Sequence, residues 1–282
     1  MHFEPYVFAF DLDGTLLQKD NSVHSYTLEI MQKIQQSGHI NVIATGRGVA
    51  KTLPLLNNKT IDYVDYLVCS NGSCIYDVKK QTTYIINTLD KAIFPYMRKI
   101  ALDHKLIITI DSADYNATAL PDNKVPAWMT DANIMDMNIF NQINLDQMQE
   151  IVDLSRTKLT QIALRNPLNQ AKQITDLTRV MLKKFDCNIY LTNSIYTDVN
   201  PINTSKLIGI EYVLNLLNLT TNNLIAFGDS GNDIEMVLKA KIGVAMQNAT
   251  SDLIKVADVI IGNHNSATIG EYLEKYITKT QG

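Results

Sequence analysis

Residues 8–17 read Phe-Ala-Phe-Asp-Leu-Asp-Gly-Thr-Leu-Leu. An apolar run of this kind is a strand buried on both faces, and side chains two apart on an extended chain project to the same side. Asp11 and Asp13 therefore crowd negative charge at the end of a buried strand, an arrangement that is costly without a cation to relieve it. Gly14 and Thr15 then turn the chain. Such a strand belongs inside a sheet covered on both faces, with its carboxyl end turned towards a ligand.

The pattern repeats. Residues 6–10 read as a strand, 28–36 as a helix and 40–44 as a second apolar strand ahead of Thr45-Gly46-Arg47. A helix over 50–56 and a strand over 66–69 follow, and that strand runs into Ser70-Asn71-Gly72-Ser73. Three strands in succession end in small polar residues, which is the placement expected where an open parallel sheet binds ligand beyond the carboxyl ends of its strands. After a hairpin at 74–76 and 83–86 the texture changes. Helical stretches at 90–104 and 169–185 alternate with short strands at 106–110, 159–164 and 188–192, as in an α+β module with an antiparallel sheet. The first texture returns with a helix at 206–217, a strand at 224–227, a helix at 231–239 and strands at 242–245 and 259–261. The expected fold is α/β: a doubly wound parallel-sheet core from residues 1–85 and 194–282, interrupted by an α+β cap at 86–193. A length of 282 residues suits two domains.

Composition limits what such a chain handles. A net charge of −4 spread along the sequence offers no footprint for nucleic acid or a membrane surface. No apolar run approaches the ~20 residues of a membrane span, and no basic leader with a cleavage site opens the chain. Cys69, Cys74 and Cys187 are an odd number without zinc-type spacing, which suits buried thiols in a reducing cytoplasm. The expected partner is a small molecule bound by a monomer or small homo-oligomer.

Four polar segments carry the chemistry. Asp11-Leu-Asp13-Gly-Thr15 supplies a carboxylate nucleophile and a second carboxylate placed to exchange a proton with the reacting oxygen. Thr45 adds a hydroxyl, Lys206 a positive charge at a helix start, and Gly228-Asp229-Ser230-Gly231-Asn232-Asp233 two further carboxylates and an amide. Taken singly these are weak signals. Asp-X-Asp-Gly also occurs in calcium loops, although Leu17 and Ser22 stand where an EF-hand needs ligands. The GDSGND segment could simply cap a helix, Lys206 could be a solvated helix residue, and Arg47 fits the site or a surface salt bridge equally well. In combination they make a charge-balanced pocket for phosphate and Mg²⁺, a hard cation that takes oxygen ligands and keeps several waters.

On these motifs the chain resembles the haloacid dehalogenase superfamily phosphatases of the Cof-type branch, subclass IIB, in which a cap is inserted after the third core strand. The resemblance implies that Asp11 attacks phosphorus and carries the phosphoryl group, and that Asp13 serves as general acid and then base. It implies Mg²⁺ held by Asp11, a backbone carbonyl of Asp13, and Asp229, with Asp233 as ligand or support. Thr45, Gly46, Lys206 and Asn232 would bind the phosphoryl group, and Asn71 would contact substrate or form a hinge turn. Leu207 departs from the usual Lys-Gly pair. Cap hinges are expected near Asn87 and Thr192. Asp111, Asp114, Asp131, Tyr115 and Trp128 could reach substrate or serve only as loop charges and packing. The resulting expectation is a Mg²⁺-dependent phosphatase of small phosphorylated metabolites, sugar phosphates foremost. A phosphomutase and a catalytically retired binding protein are the alternatives.

Overall fold

A computed structural model describes residues 4–130 and 141–277. The chain begins with β1 (Val7–Phe10), α1 (Ser25–Gln36), β2 (Ile40–Ala44), α2 (Val49–Asn57), β3 (Tyr66–Cys69), β4 (Cys74–Asp77) and β5 (Thr82–Ile85). A second set follows: α3 (Phe94–Asp103), β6 (Ile107–Ser112), β7 (Asn116–Ala119), α4 (Leu145–Asp153), β8 (Leu159–Arg165), α5 (Ala171–Met181), β9 (Cys187–Thr192) and β10 (Tyr196–Pro201). The remainder is α6 (Lys206–Leu216), β11 (Leu224–Gly228), α7 (Ile234–Lys239), β12 (Ile242–Met246), α8 (Ser251–Ile254), β13 (Val259–Ile261) and α9 (Thr268–Ile277).

The larger sheet has the order β13-β12-β11-β1-β2-β3-β4-β5, parallel from β13 to β3 and closed by two antiparallel hairpin strands. β1 lies between β2 and β11, and its four residues are all fully buried. Its side chains alternate between two cores. Phe8 and Phe10 pack with Met31 and Ile34 of α1 and Leu273 of α9, while Val7 and Ala9 pack with Ile210 and Val213 of α6 and Met236 of α7. Apolar burial on both faces is why the strand reads as a continuous hydrophobic run, and truncating Phe8 or Phe10 would cost about 3–5 kcal/mol each.

The smaller sheet, β7-β6-β8-β10-β9, is antiparallel throughout. Ile108, Ile110, Ile162, Leu164 and Val199 pack against Phe94 and Met97 of α3, Met148 of α4 and Ile174 of α5. The alternate positions, Thr109, Asp111, Gln161, Arg165 and Asp198, face the cavity above the larger sheet. The mixed architecture is therefore the one the sequence implied: a parallel-sheet core with a separate antiparallel sheet.

Several elements differ from the sequence expectation. β7, α4, β10 and α9 were not read from the sequence, and α3 starts at Phe94, after a 3₁₀ turn over Lys91–Ile93 capped by Asp90. β10, Tyr-Thr-Asp-Val-Asn-Pro, has no apolar run to announce it, because its polar side chains are covered by the core rather than by solvent. It keeps the chain in the antiparallel sheet through Pro201, beyond residue 193. Thr192 sits inside the sheet with its hydroxyl bonded to Asp198, so it is no hinge position. The return to the core falls at residues 202–205, where the Asn87 amide donates to the Ile202 carbonyl at 2.8 Å and ties the outgoing and returning chains together.

Candidate active site

Asp11 stands one residue beyond β1, its amide donating to Phe227 O at 2.9 Å, so the sheet itself fixes the start of the turn. Gly14 completes the turn at φ 87°, in the left-handed region that favours glycine. A Cβ there would come within 2.5 Å of Asp229 Oδ2, so the same glycine admits the second carboxylate segment.

Lys206 is the first residue of α6, whose N-cap Ser205 accepts from the Ile208 amide. Only 1% exposed, it donates from Nζ to Asp11 Oδ1 at 2.5 Å and to Asp233 Oδ1 at 2.6 Å. Burial works against its charge, but Asp11 and Asp233 outweigh burial and raise its pKa. Asp233 Oδ2 in turn accepts from the amides of Asp229 and Ser230, both at 3.0 Å, so both oxygens of Asp233 are engaged. Two oxygens are left over: Asp11 Oδ2 and Asp229 Oδ1 are buried and have no hydrogen-bond partner. Asp11, Asp229 and Asp233 each present an oxygen within 4.8 Å of the others.

The electrostatics show the strain of that crowding. Burial, opposed by Lys206 and reinforced by Asp233, raises the Asp11 carboxyl to about 7. Burial together with the charges of Asp11 and Asp233 raises Asp229 to about 9. Carboxylates held this way fit a hard divalent cation, since the donors are all oxygen and the two open atoms lie on different chain segments. The residues present thus suit Mg²⁺.

Asp13 points elsewhere. Arg47 grips it with two hydrogen bonds, Nε to Oδ2 at 2.8 Å and Nη2 to Oδ1 at 2.5 Å. Arg47 is therefore a site residue rather than a surface one. Thr45, 1% exposed, accepts from the Arg47 amide at 3.1 Å, and the Gly46 carbonyl accepts from Gln161 Nε2 of the antiparallel sheet at 2.9 Å. Asn232 lines the cavity, whereas Asn71, 1% exposed, stands behind the wall, bonded to Asn232.

A cavity of about 100 Å³ lies between the sheets. Its floor is Asp11, Asp13, Thr45, Gly46, Arg47, Lys51 and Asn232, and its roof includes Asp111, Gln161, Arg165, Tyr196 and Asp198. Of the roof, only Asp111 was singled out from the sequence, and the structure puts it in β6 rather than in a loop. Asp114 is exposed and accepts from Ser112, Tyr115 bonds Asn141, and neither these nor Trp128 lines the cavity. Asp131 lies outside the described residues. A partial signal for the rest did exist: Thr109 and Asp111, Gln161 and Arg165, and Tyr196, Asp198 and Asn200 recur at even spacing along their strands, as on strands with one functional face.

Asp198 carries a pH prediction. It is 4% exposed, and burial raises its carboxyl to about 6 against the hydrogen bonds from Thr192 and Asn71 and the attraction of Lys51, with Asp111 adding to the rise. The folded protein then keeps a proton that the unfolded chain loses near pH 4, so this group's contribution to stability falls as pH rises through about 6. In Asp198→Asn that loss is absent. The variant should gain on wild type by on the order of 3 kcal/mol between pH 4 and pH 7, read as the difference in denaturant midpoints at the two pH values. An unchanged difference would contradict it.

Comparison with known proteins follows the same lines. Residues 8–273 match the family model described as haloacid dehalogenase-like hydrolase. The HMP-PP phosphatase of Yersinia pseudotuberculosis is 25% identical, across 96% of this chain and 94% of that protein. A haloacid dehalogenase-like hydrolase from Bacteroides thetaiotaomicron superposes with a TM-score of 0.78 at 21% identity, covering 97% of this chain and all of that one. A subclass IIB sugar phosphatase superposes equally well at 17% identity, over 96% and 98% of the two chains.

Proposed function

Because the chain belongs to the haloacid dehalogenase-like hydrolases, we propose that it is a Mg²⁺-dependent phosphatase of small phosphorylated metabolites, working through a phosphoryl group carried on Asp11. The observation that carries this reading is the division of labour around Lys206. One oxygen of Asp11 is held by the ammonium, and the other, Oδ2, is left without a partner, aimed for use rather than consumed by the fold.

Asp229 would hold the metal through its open Oδ1, joined by the Asp11 carboxylate and the Asp13 carbonyl and braced by Asp233. When bound, Mg²⁺ supplies positive charge against the phosphoryl oxygens and neutralises the crowded carboxylates. The chain's own residues do the rest. Asp11 Oδ2 attacks phosphorus as the P–O ester bond breaks, and Asp13 gives its proton to the departing oxygen. Asp13 then takes a proton from water, whose oxygen attacks phosphorus and breaks the bond to Asp11, releasing phosphate. Thr45, Asn232 and Lys206 bind phosphoryl oxygens, charge that spreads over three of them in the transition state. Arg47 holds Asp13 at the cavity through both carboxylate oxygens, so one of them must leave the guanidinium before Asp13 carries the proton.

The residues of the antiparallel sheet form the leaving-group side. Thr109, Asp111, Gln161 and Asp198 offer hydroxyl, carboxylate and amide groups, a lining suited to the hydroxyls of a sugar phosphate. Closure of this cap over the core excludes bulk water during transfer. Release of phosphate from a panel of sugar, nucleotide and cofactor phosphates, with Mg²⁺ and again with EDTA, tests the proposal. Turnover is expected with Mg²⁺ and should fall to background on chelation. Sugar-phosphate isomerisation without phosphate release would make the chain a mutase instead, and the absence of any Mg²⁺-dependent turnover would end the reading.

A further inference from the structure

Asn71 is buried behind the cavity and yet bonded to both sheets. Its Oδ1 accepts from Asn232 Nδ2 at 2.8 Å. Its Nδ2 faces three oxygens of the antiparallel sheet: Asn200 Oδ1 at 3.0 Å, and Gln161 Oε1 and Asp198 Oδ2 each at 3.3 Å. An amide can be turned end for end, but here the surroundings choose. Reversal would set the Asn71 oxygen against three acceptors and its NH₂ against another NH₂. The orientation of Asn71 is thus set from the cap side and delivered to the core side.

What Asn71 delivers is the orientation of a second amide. Ser230 Oγ donates to Asn232 Oδ1 at 2.7 Å while Asn232 Nδ2 donates to Asn71. One of the two Nδ2 hydrogens is spent on Asn71, and the other remains for the cavity that Asn232 lines. The backbone supports this. Ser70 and Asn71 both have positive φ, 49° and 50°, a conformation that costs energy in a non-glycine residue and is held when the surroundings over-determine it. Amide bonds from Ser70 to Arg47 O and from Asn71 to Thr45 O fasten the turn to the Thr45–Arg47 segment. Asn200 Nδ2 closes the loop by donating to Ser70 O at 2.9 Å and to Gln161 Oε1 at 2.9 Å.

We propose that Asn71 is a positioning residue through which the seating of the antiparallel sheet sets the Asn232 amide. This rests on the phosphatase reading only for its effect on rate, since the coupling itself is a property of the fold. With Gln161, Asp198 and Asn200 in place, Asn71 can point only one way, and Asn232 presents a donor to the cavity. When the cap lifts, Asn71 loses the acceptors that fix it and Asn232 loses its anchor. The phosphoryl-binding floor is then complete only under a seated cap, which ties hydrolysis to the state that shelters the site from water.

The test is a pair of double-mutant cycles with p-nitrophenyl phosphate as the substrate, together with amide hydrogen exchange. Asn71→Ala and Asn232→Ala should each lower kcat about tenfold with little change in KM, the scale of one lost hydrogen bond. The double variant should be no slower than the slower single one, because both remove the same link. Asn200→Ala, which changes a cap residue that reaches the core only at Ser70 and Asn71, should lower kcat in wild type and much less in the Asn232→Ala background. It should also speed exchange of the 229–233 amides by about tenfold. Losses that multiply, or an exchange rate at 229–233 unmoved by Asn200→Ala, would overturn the proposal. If Asn71→Ala does not fold, the Asn200 cycle and the exchange measurement decide. If wild type lacks Mg²⁺-dependent turnover, the phosphatase reading falls while the exchange measurement still decides the coupling.

Discussion

Replacing Asp11 by Asn is expected to remove essentially all Mg²⁺-dependent phosphate release, by on the order of 10⁴-fold or more in kcat, while leaving the protein folded. The substitution keeps the shape of the side chain and an oxygen for Lys206 to bond, but the amide has no open anionic oxygen with which to attack. Stability should change little. Burial already raises the Asp11 carboxyl to about 7, so a neutral isostere gives up charge that the fold holds reluctantly, and this offsets the weaker bond to Lys206. Steady-state assays beside a thermal melt decide the matter. A well-folded Asp11→Asn protein with turnover within about tenfold of wild type would take the nucleophilic role away from this residue.

Lys206→Met is expected to act on both stability and rate. Its ammonium is the cation bonded to Asp11 and Asp233 deep in the core, and removing one partner of a buried ionic cluster costs about 3–5 kcal/mol because the charges left behind are uncompensated. For a chain of this size that corresponds to a drop in Tm on the order of 10 °C. The deficit should shrink as pH falls, because protonation of Asp11, whose carboxyl burial already raises to about 7, removes charge left without its lysine, and Mg²⁺ should recover part of it. Melts in EDTA and in Mg²⁺ at two pH values measure each effect. A variant as stable as wild type in EDTA at neutral pH would mean that the cluster does not depend on its lysine.

The parallel-sheet core and the grouping of its carboxylates were legible because those carboxylates lie on short, contiguous segments at strand ends. Asp11 and Asp13 follow an apolar run, Asp229 to Asp233 follow another, and the sheet brings them together through the β1–β11 pairing. Lys206 was legible despite Leu207, and the structure explains why leucine is tolerated. Leu207 packs into the apolar layer with Ile210 and Val213, while the close approach of α6 to the Ser70–Gly72 turn is made at Gly209, where a Cβ would meet Gly72 Cα at 3.0 Å. Arg47 could not be settled from the sequence, since its meaning depends on Asp13, which is adjacent only in space. The roof of the cavity was the least legible part. Asp111, Gln161, Arg165 and Asp198 come from three separate strands, buried on both sides by different partners, apolar helices on one and the polar core on the other. Asn71 read as a substrate contact or a hinge turn; its backbone makes a turn and its side chain stands outside the cavity lining, and that its amide spans two sheets follows only from the register that delivers Asn200 and Gln161 to it.

The placement of β1 has a consequence for how the protein is made. β1 leaves the ribosome well ahead of β11, its neighbour on one side, which comes only after the whole antiparallel sheet. At about 5–20 residues per second the wait is roughly 10–40 seconds. Through that interval one edge of a wholly apolar strand is unpaired, and an unpaired edge invites association with other chains. The α+β insert meanwhile has all of its own strands and can fold on its own schedule. A chain arrested before residue 224 would therefore pair a finished cap with an open sheet, and the nascent protein should be most dependent on chaperones in that window.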